Sequence, residues 1–237
     1  MLPLAKQNFY RERYKRLRSD WQTSGEELEA LVRQRLTSDT YVLDLGCGRG
    51  GVMELFWRDV QLAIGLDPDA ASLLQQRTLM PLTCGLGEAL PFSSETFHLV
   101  IGLWVLEHLR QPEKTLSEIQ RVLRPGGHFI FLTPNAQHPL IWANQMSHAL
   151  PALQRRLVPK IYGRAEADTF RVHYRANTRR QLRQLAFRFN MQLVTLRAIP
   201  DPTYLAFNDF FFQLAVLVER CLPPSWGVHL LGDFIKT

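Results

Sequence analysis

Two carboxylates and a run of glycines carry the first chemical signal in this sequence. The stretch VLDLGCGRGG, residues 42–51, places Asp44 two positions before Gly46, with Cys47, Gly48, Arg49, Gly50 and Gly51 following. Gly46 to Gly51 satisfies G-x-G-x-x-G, a pattern in which a tight turn brings backbone N–H groups and the next helix's N-terminus towards an anion. The second carboxylate, Asp67, closes the run AIGLD about 20 positions on, the spacing at which an acidic side chain grips ribose hydroxyls. These features alone suit any ligand that carries an adenosine.

Asp44 divides the candidate ligands. A dinucleotide turn normally leaves its strand through an apolar residue, because pyrophosphate already brings negative charge; a carboxylate there would repel it. The same carboxylate suits a ligand with a cationic end. S-adenosylmethionine offers an ammonium for Asp44, a carboxylate for the helix N-terminus and a ribose for Asp67. The plainer role for Asp44 is to brace the turn by hydrogen bonding.

The elements that must position these residues alternate. Short apolar runs stand at Tyr41–Leu45, Leu62–Leu66, Leu82–Leu86, Leu99–Leu103 and His128–Leu132, with helical patterns at Gly51–Arg58, Asp69–Gln76 and Pro112–Leu123. That rhythm predicts right-handed crossovers and a parallel sheet covered on both faces, an α/β, Rossmann-like, doubly wound fold. Before it, Tyr10, Tyr14, Leu17 and Trp21 predict the apolar stripe of an N-terminal helix, and Glu26 to Leu36 a second helix. After Asn135, residues 139–161 read as two short helices, 162–177 as a polar loop, and Thr178 as the cap of a helix reaching about Asn190. Met191–Ala198 reads as a strand, Phe207–Cys221 as a strongly apolar helix and Val228–Ile235 as a closing strand. The expected organisation is a single domain: an N-terminal cover over 1–37, a cofactor-binding core over 38–135, a substrate cap over 136–190, and C-terminal strands with the apolar helix over 191–237.

Five stretches lie in order at mutually consistent spacing: VLDLGCGRG, IGLDPD (64–69), GEALPFSSETFHLV (87–100), VLEHL (105–109) and RVLRPGGHFIFLTPN (121–135). Together they resemble the class I S-adenosylmethionine-dependent methyltransferases, in the small-molecule branch that includes the ubiquinone and menaquinone biosynthesis enzymes. The resemblance implies a seven-stranded, mostly parallel sheet whose last strand is antiparallel. It also implies that Asp44, Gly46, Cys47 and Gly48 bound the methionyl end, Asp67 the ribose, and Pro68, Gly87 and Glu88 the adenine. Leu103 would stand on the sulfonium side, and Tyr14 would close the pocket. Two positions depart from the family pattern: Leu86 and His98 stand where relatives often carry Asp. His98 is expected at a strand start without a chemical role.

Methyl transfer needs alignment above all, and a base where the nucleophile is a hydroxyl. The candidate bases are His108, in LEHL, and His173 and Tyr174, in the loop TFRVHYRANT. Some relatives hold a divalent metal through Glu-x-x-Glu-His; Trp104 replaces the first glutamate, so Glu107 and His108 alone predict no metal. The Asn/Asp-Pro-Pro motif of base-modifying relatives is also missing, which argues against nucleic acid as substrate.

The charge is local. The chain of 237 residues has a net charge of +6, but residues 151–197 hold eleven Lys or Arg against Glu166 and Asp168, a net +9 that leaves −3 elsewhere. A basic segment running into an aromatic-rich helix suits either a solvated surface or an anionic membrane. Three cysteines without paired spacing predict a reducing cytoplasm, and the N-terminus has no apolar signal region. The expected activity is methyl transfer to a small or lipid-like acceptor, at oxygen. A quinone-type carbon methyltransferase and a cofactor-binding, non-catalytic regulatory subunit are the alternatives.

Overall fold

A computed structural model provides the structure, and it describes residues 3–148 and 171–237. Its strands are β1 (Tyr41–Leu45), β2 (Leu62–Asp67), β3 (Leu82–Cys84), β4 (Phe97–Leu103), β5 (Leu123–Pro134), β6 (Met191–Ile199) and β7 (His229–Lys236). Its helices are α1 (Leu4–Leu17), α2 (Ser24–Arg33), α3 (Ala70–Leu73), α4 (Pro112–Val122), α5 (Pro139–His148), α6 (Arg179–Arg188) and α7 (Asp209–Cys221). The strands form one sheet in the order β3-β2-β1-β4-β5-β7-β6, mostly parallel with the last strand antiparallel. Of the expected cap, residues 149–170 lie outside the described residues, and with them much of the basic segment.

The described residues gather into two compact units, each built from separated stretches of chain. The sheet unit comprises 27–134, 172–197 and 230–237. In it β1 pairs in parallel with β2 and β4, setting Asp44 opposite Gly65 on one side and Ile101 on the other. Order reverses between β1 and β4, and the carboxyl ends of strands at such a point are where open α/β sheets bind ligands. The core is dry and aromatic: Phe129, Phe131 and Phe234 hold ring centroids 5.0–6.4 Å apart. Gly232 leaves room for this group, since a Cβ there would overlap the Phe131 ring. His98 accepts the Tyr41 N–H at 2.9 Å and packs edge-on against its ring, fastening β4 to β1.

Two expected helices shrink. Gly51–Arg58 becomes a single 3-10 turn at Val52–Leu55, and Asp69–Gln76 becomes the one turn of α3. Gly50 and its neighbours cannot propagate a helix, and Glu54 is instead bridged by Arg77 at 2.6 Å. Beyond α3 the chain turns back to the glycine loop: Gln76 donates to the carbonyls of Cys47 and Gly48, and the Arg77 N–H to that of Arg49. By contrast α6 forms as expected, closed by a capping box between Thr178 and Gln181.

Among the described residues, the helical unit draws on 3–26, 135–148, 171 and 198–229. Tyr10, Tyr14 and Trp21 meet Ala206, Phe212 and Val216 in one buried cluster. The expected stripe is corrected in two places. Leu17 is 56% exposed, and Trp21 lies past the end of α1, where its indole N–H donates to the Pro200 carbonyl at 2.7 Å. The apolar helix starts at Asp209 rather than Phe207, because Asn208 caps it through the Phe211 N–H. Arg11 reaches the buried Asp201 at 2.9 Å, and Arg13 reaches Asp209 at 2.6 Å.

Gly232→Ala is expected to cost roughly 1–3 kcal/mol through overpacking against Phe131. Thermal unfolding would show a lower Tm, partly restored when Phe131→Leu is added. An unchanged Tm would mean that β7 does not press on that ring.

Candidate functional site

The glycine turn leaves β1 through a buried acid. Asp44 is 3% exposed, and its Oδ2 has no hydrogen-bond partner among the described residues. Burial, and then the neighbouring Asp67, push its pKa up to about 7. A carboxylate that only braced a turn would have its oxygens satisfied, since an orphaned buried acceptor costs about 1–3 kcal/mol. Here no donor for Oδ2 is supplied among the described residues.

Gly46, Gly48 and Gly50 all take positive φ, at 73°, 47° and 132°. The backbone then bonds to itself. The N–H groups of Gly46 and Cys47 donate to the Leu66 carbonyl, that of Gly48 to Asp67 Oδ2 at 2.9 Å, and that of Gly50 to the Cys47 carbonyl. The expected anion cradle is corrected accordingly. Four amides of the turn are committed internally, and the element that follows is one 3-10 turn rather than a helix with a full dipole. The glycines provide close approach instead, because a Cβ at Gly46 would overlap a methyl of Val105.

Asp67, buried at the end of β2, accepts from Gly48 through Oδ2 and from the Asp69 N–H through Oδ1 at 2.8 Å. Each oxygen keeps a further lone pair for a hydroxyl donor. Cys47 is buried, and burial followed by the charges of Asp44 and Asp67 pushes its thiol up to about 12, so it stays protonated and packs rather than reacts. Pro68 is exposed, and its carbonyl accepts from the Cys84 thiol. Gly87 lies against Thr115 and Leu45, with Glu88 half-buried beside it, and Leu86 is exposed. Leu103, at the end of β4, lies 3.4 Å from where a Cβ on Gly51 would stand. Tyr14 belongs to the helical unit, where its ring stands edge-on to Trp21 at 4.8 Å.

The three candidate bases share one anchor. The Glu107 carbonyl accepts from the N–H groups of both His173 (2.6 Å) and Tyr174 (3.2 Å), and His108 follows it in the chain. The Glu107 side chain is itself buried, and burial pushes its pKa up to about 7 against the lowering effect of its hydrogen bonds. Its Oε2 accepts the Thr133 hydroxyl at 3.0 Å, and Asn177 donates to that hydroxyl at 2.6 Å. Thr133 and Asn177 escaped sequence reasoning. Both lie within motifs that were read for other purposes, and only the fold brings them to Glu107. Trp104 and Tyr174 take positive φ, 58° and 52°, strain that concentrates at functional sites. Among the described residues no group of three or more His, Cys, Asp or Glu is gathered so as to hold a metal ion.

Residues 43–131 match the family described as "Methyltransferase domain". The malonyl-[acyl-carrier protein] O-methyltransferase of Herminiimonas arsenicoxydans is 38% identical over 107 residues, 43% of this chain and 40% of that one. The phthiotriol/phenolphthiotriol dimycocerosates methyltransferase of Mycobacterium leprae is 33% identical over 97 residues, 38% and 36% of the two chains. The chain thus spans about two fifths of the length of these curated relatives. A solved geranyl diphosphate C-methyltransferase from Streptomyces coelicolor, 15% identical, superposes over 90% of this chain and 77% of its own with a TM-score of 0.60, a likeness of fold.

Gly46→Ala should destabilise more than Gly48→Ala. Both substitutions put a side chain at positive φ, at about 1–2 kcal/mol, but only the first also collides with Val105, the nearest atom to a Cβ at Gly48 being 3.9 Å away. Equal Tm losses would show that Val105 yields freely.

Proposed function

We propose, from the match of residues 43–131 to the methyltransferase domain family, that the protein is a class I S-adenosylmethionine-dependent methyltransferase that methylates a small-molecule or lipid-like acceptor, at oxygen. The observation that carries the reading is the buried, unpartnered Oδ2 of Asp44 beneath the glycine turn. An ammonium is the donor it fits, and the committed amides of the turn leave little for a pyrophosphate.

In this reading Asp44 holds the methionyl ammonium, and Gly46, Cys47 and Gly48 form the wall against which that end lies. Asp67 takes the ribose hydroxyls through its remaining lone pairs, and Pro68, Gly87 and Glu88 border the adenine. Leu103 faces the sulfonium side. S-adenosylmethionine supplies an activated methyl group; the protein's own work is to align the acceptor, exclude water and receive a proton. His108, His173 and Tyr174, gathered on Glu107, are the groups for that proton. Relatives are named as both O- and C-methyltransferases, and the candidate bases along the chain at Glu107 favour a hydroxyl acceptor here.

Binding is the first test. S-adenosylhomocysteine should raise the Tm while NAD does not, and Asp44→Asn and Asp67→Ala should each reduce the shift strongly. A comparable shift with NAD would overturn the reading.

The site of work is part of the same proposal. No helix among the described residues is long and apolar enough to cross a membrane. Yet α7 turns Phe210 (69% exposed) and Phe211 (44%) outward while Phe212 (2%) enters the core. Outward aromatics on a helix that follows the basic segment 151–197 in the sequence support peripheral contact with an anionic membrane. Sedimentation with vesicles containing phosphatidylglycerol should capture the protein at low salt and release it as salt rises, and Phe210→Ser with Phe211→Ser should weaken capture. Protein that stays in the supernatant at low salt would remove the membrane from the proposal.

A further inference from the structure

The loop after β4 is gripped from two directions. Towards β1, Val105 lies against the glycine turn closely enough to exclude any Cβ at Gly46. Towards the segment 172–177, Glu107 is used twice. Its main-chain carbonyl takes two consecutive N–H groups, and its carboxylate takes the Thr133 hydroxyl that Asn177 also engages. Asn177 adds a bond to the Pro134 carbonyl at 3.3 Å, and its Oδ1 is buried without a partner. No Lys or Arg pairs with Glu107 among the described residues; the basic group near its carboxylate is the His108 imidazole, with Nε2 4.0 Å from Oε1.

A purely structural role explains this poorly. Glutamine would accept the same Thr133 hydroxyl, and a neutral side chain avoids the cost of burying a charge. What a carboxylate adds over an amide is negative charge beside an imidazole. Among the described residues, the titratable or charged side chains on the adjoining stretches are His108, Arg110, Arg171, His173, Tyr174 and Arg175, and Arg175 is turned to the Arg110 carbonyl at 2.8 Å.

We propose that Glu107 acts through His108: its carboxylate, 4.0 Å from the ring, stabilises the imidazolium, while its carbonyl holds the main chain of His173 and Tyr174 at the same loop. The proposal rests on the methyltransferase reading for its purpose, though not for its measurement. In the proton step the acceptor's O–H bond breaks, its electron pair stays on oxygen, and an N–H bond forms on His108. The new positive charge then faces the Glu107 carboxylate.

The test follows the His108 ring proton by NMR across pH, with the thermal shift by S-adenosylhomocysteine measured beside it. In Glu107→Gln the His108 ring should titrate at lower pH than in the wild type, because a nearby negative charge is removed, with the thermal shift retained. Loss of the thermal shift in the wild type would sink the methyltransferase reading and leave the His108 result standing. Should Glu107→Gln not fold, Thr133→Val keeps the carboxylate and removes its hydrogen bond; it should alter the His108 titration and speed amide exchange at His173 and Tyr174 at least about tenfold. A His108 titration identical in wild type and Glu107→Gln overturns the proposal. So does a Thr133→Val protein with unchanged titration and exchange.

Discussion

A carboxylate removed from water at the end of β1 governs the rest of the site. Asp44 lies in the register of three parallel strands, so it cannot move outward without breaking the sheet, and its Oδ2 has no donor. Such a group is tolerable in two states only, protonated or paired with a cation. Its raised pKa reflects the first state, and a cationic ligand would supply the second. Asp67 deepens the constraint, since its charge helps to push Asp44 upward. The turn between them answers by folding on itself: its amides neutralise Asp67 and the Leu66 carbonyl, and leave Asp44 alone.

Glu107 repeats that arrangement across the same end of the sheet. It too is buried and raised in pKa, but it is reached by a hydroxyl and lies near an imidazole. Paired groups whose environments shift them towards neutrality are a signature of acid–base sites. The strain at Trp104 and Tyr174 brackets Glu107, so the local backbone is held by contacts rather than by its own preference. One carboxylate is placed to receive a cation, and the other to stabilise one that forms beside it.

Much of this was legible in the sequence, for local reasons. β1 was read to the residue because an apolar run broken only by Asp44 meets a glycine turn, and the start of α6 because Thr178 and Gln181 form a self-contained cap. The short elements after β1 and β2 were overread as helices, since side-chain periodicity does not reveal that Gln76 and Arg77 bond back to the glycine loop. Composition marked Phe210, Phe211 and Phe212 as one aromatic run; only packing against Tyr10 separates the inward ring from the outward two. The site followed the same rule. Asp44 and Asp67 were visible because they flank a local motif. Thr133 and Asn177 were not, because their bonds span 26 and 44 residues of chain.

The most direct test of the account is the pH dependence of S-adenosylhomocysteine affinity, measured by calorimetry between about pH 5.5 and 8. With a pKa raised to about 7, Asp44 is protonated in the free protein below that pH, whereas the ligand's ammonium requires the carboxylate. Binding should therefore release a proton, and affinity should fall as pH drops below 7, approaching about tenfold per pH unit. In Asp44→Asn the affinity should be weak and nearly flat with pH. A wild-type affinity that does not vary across this range would contradict the assignment of Asp44 as the group that receives the cation.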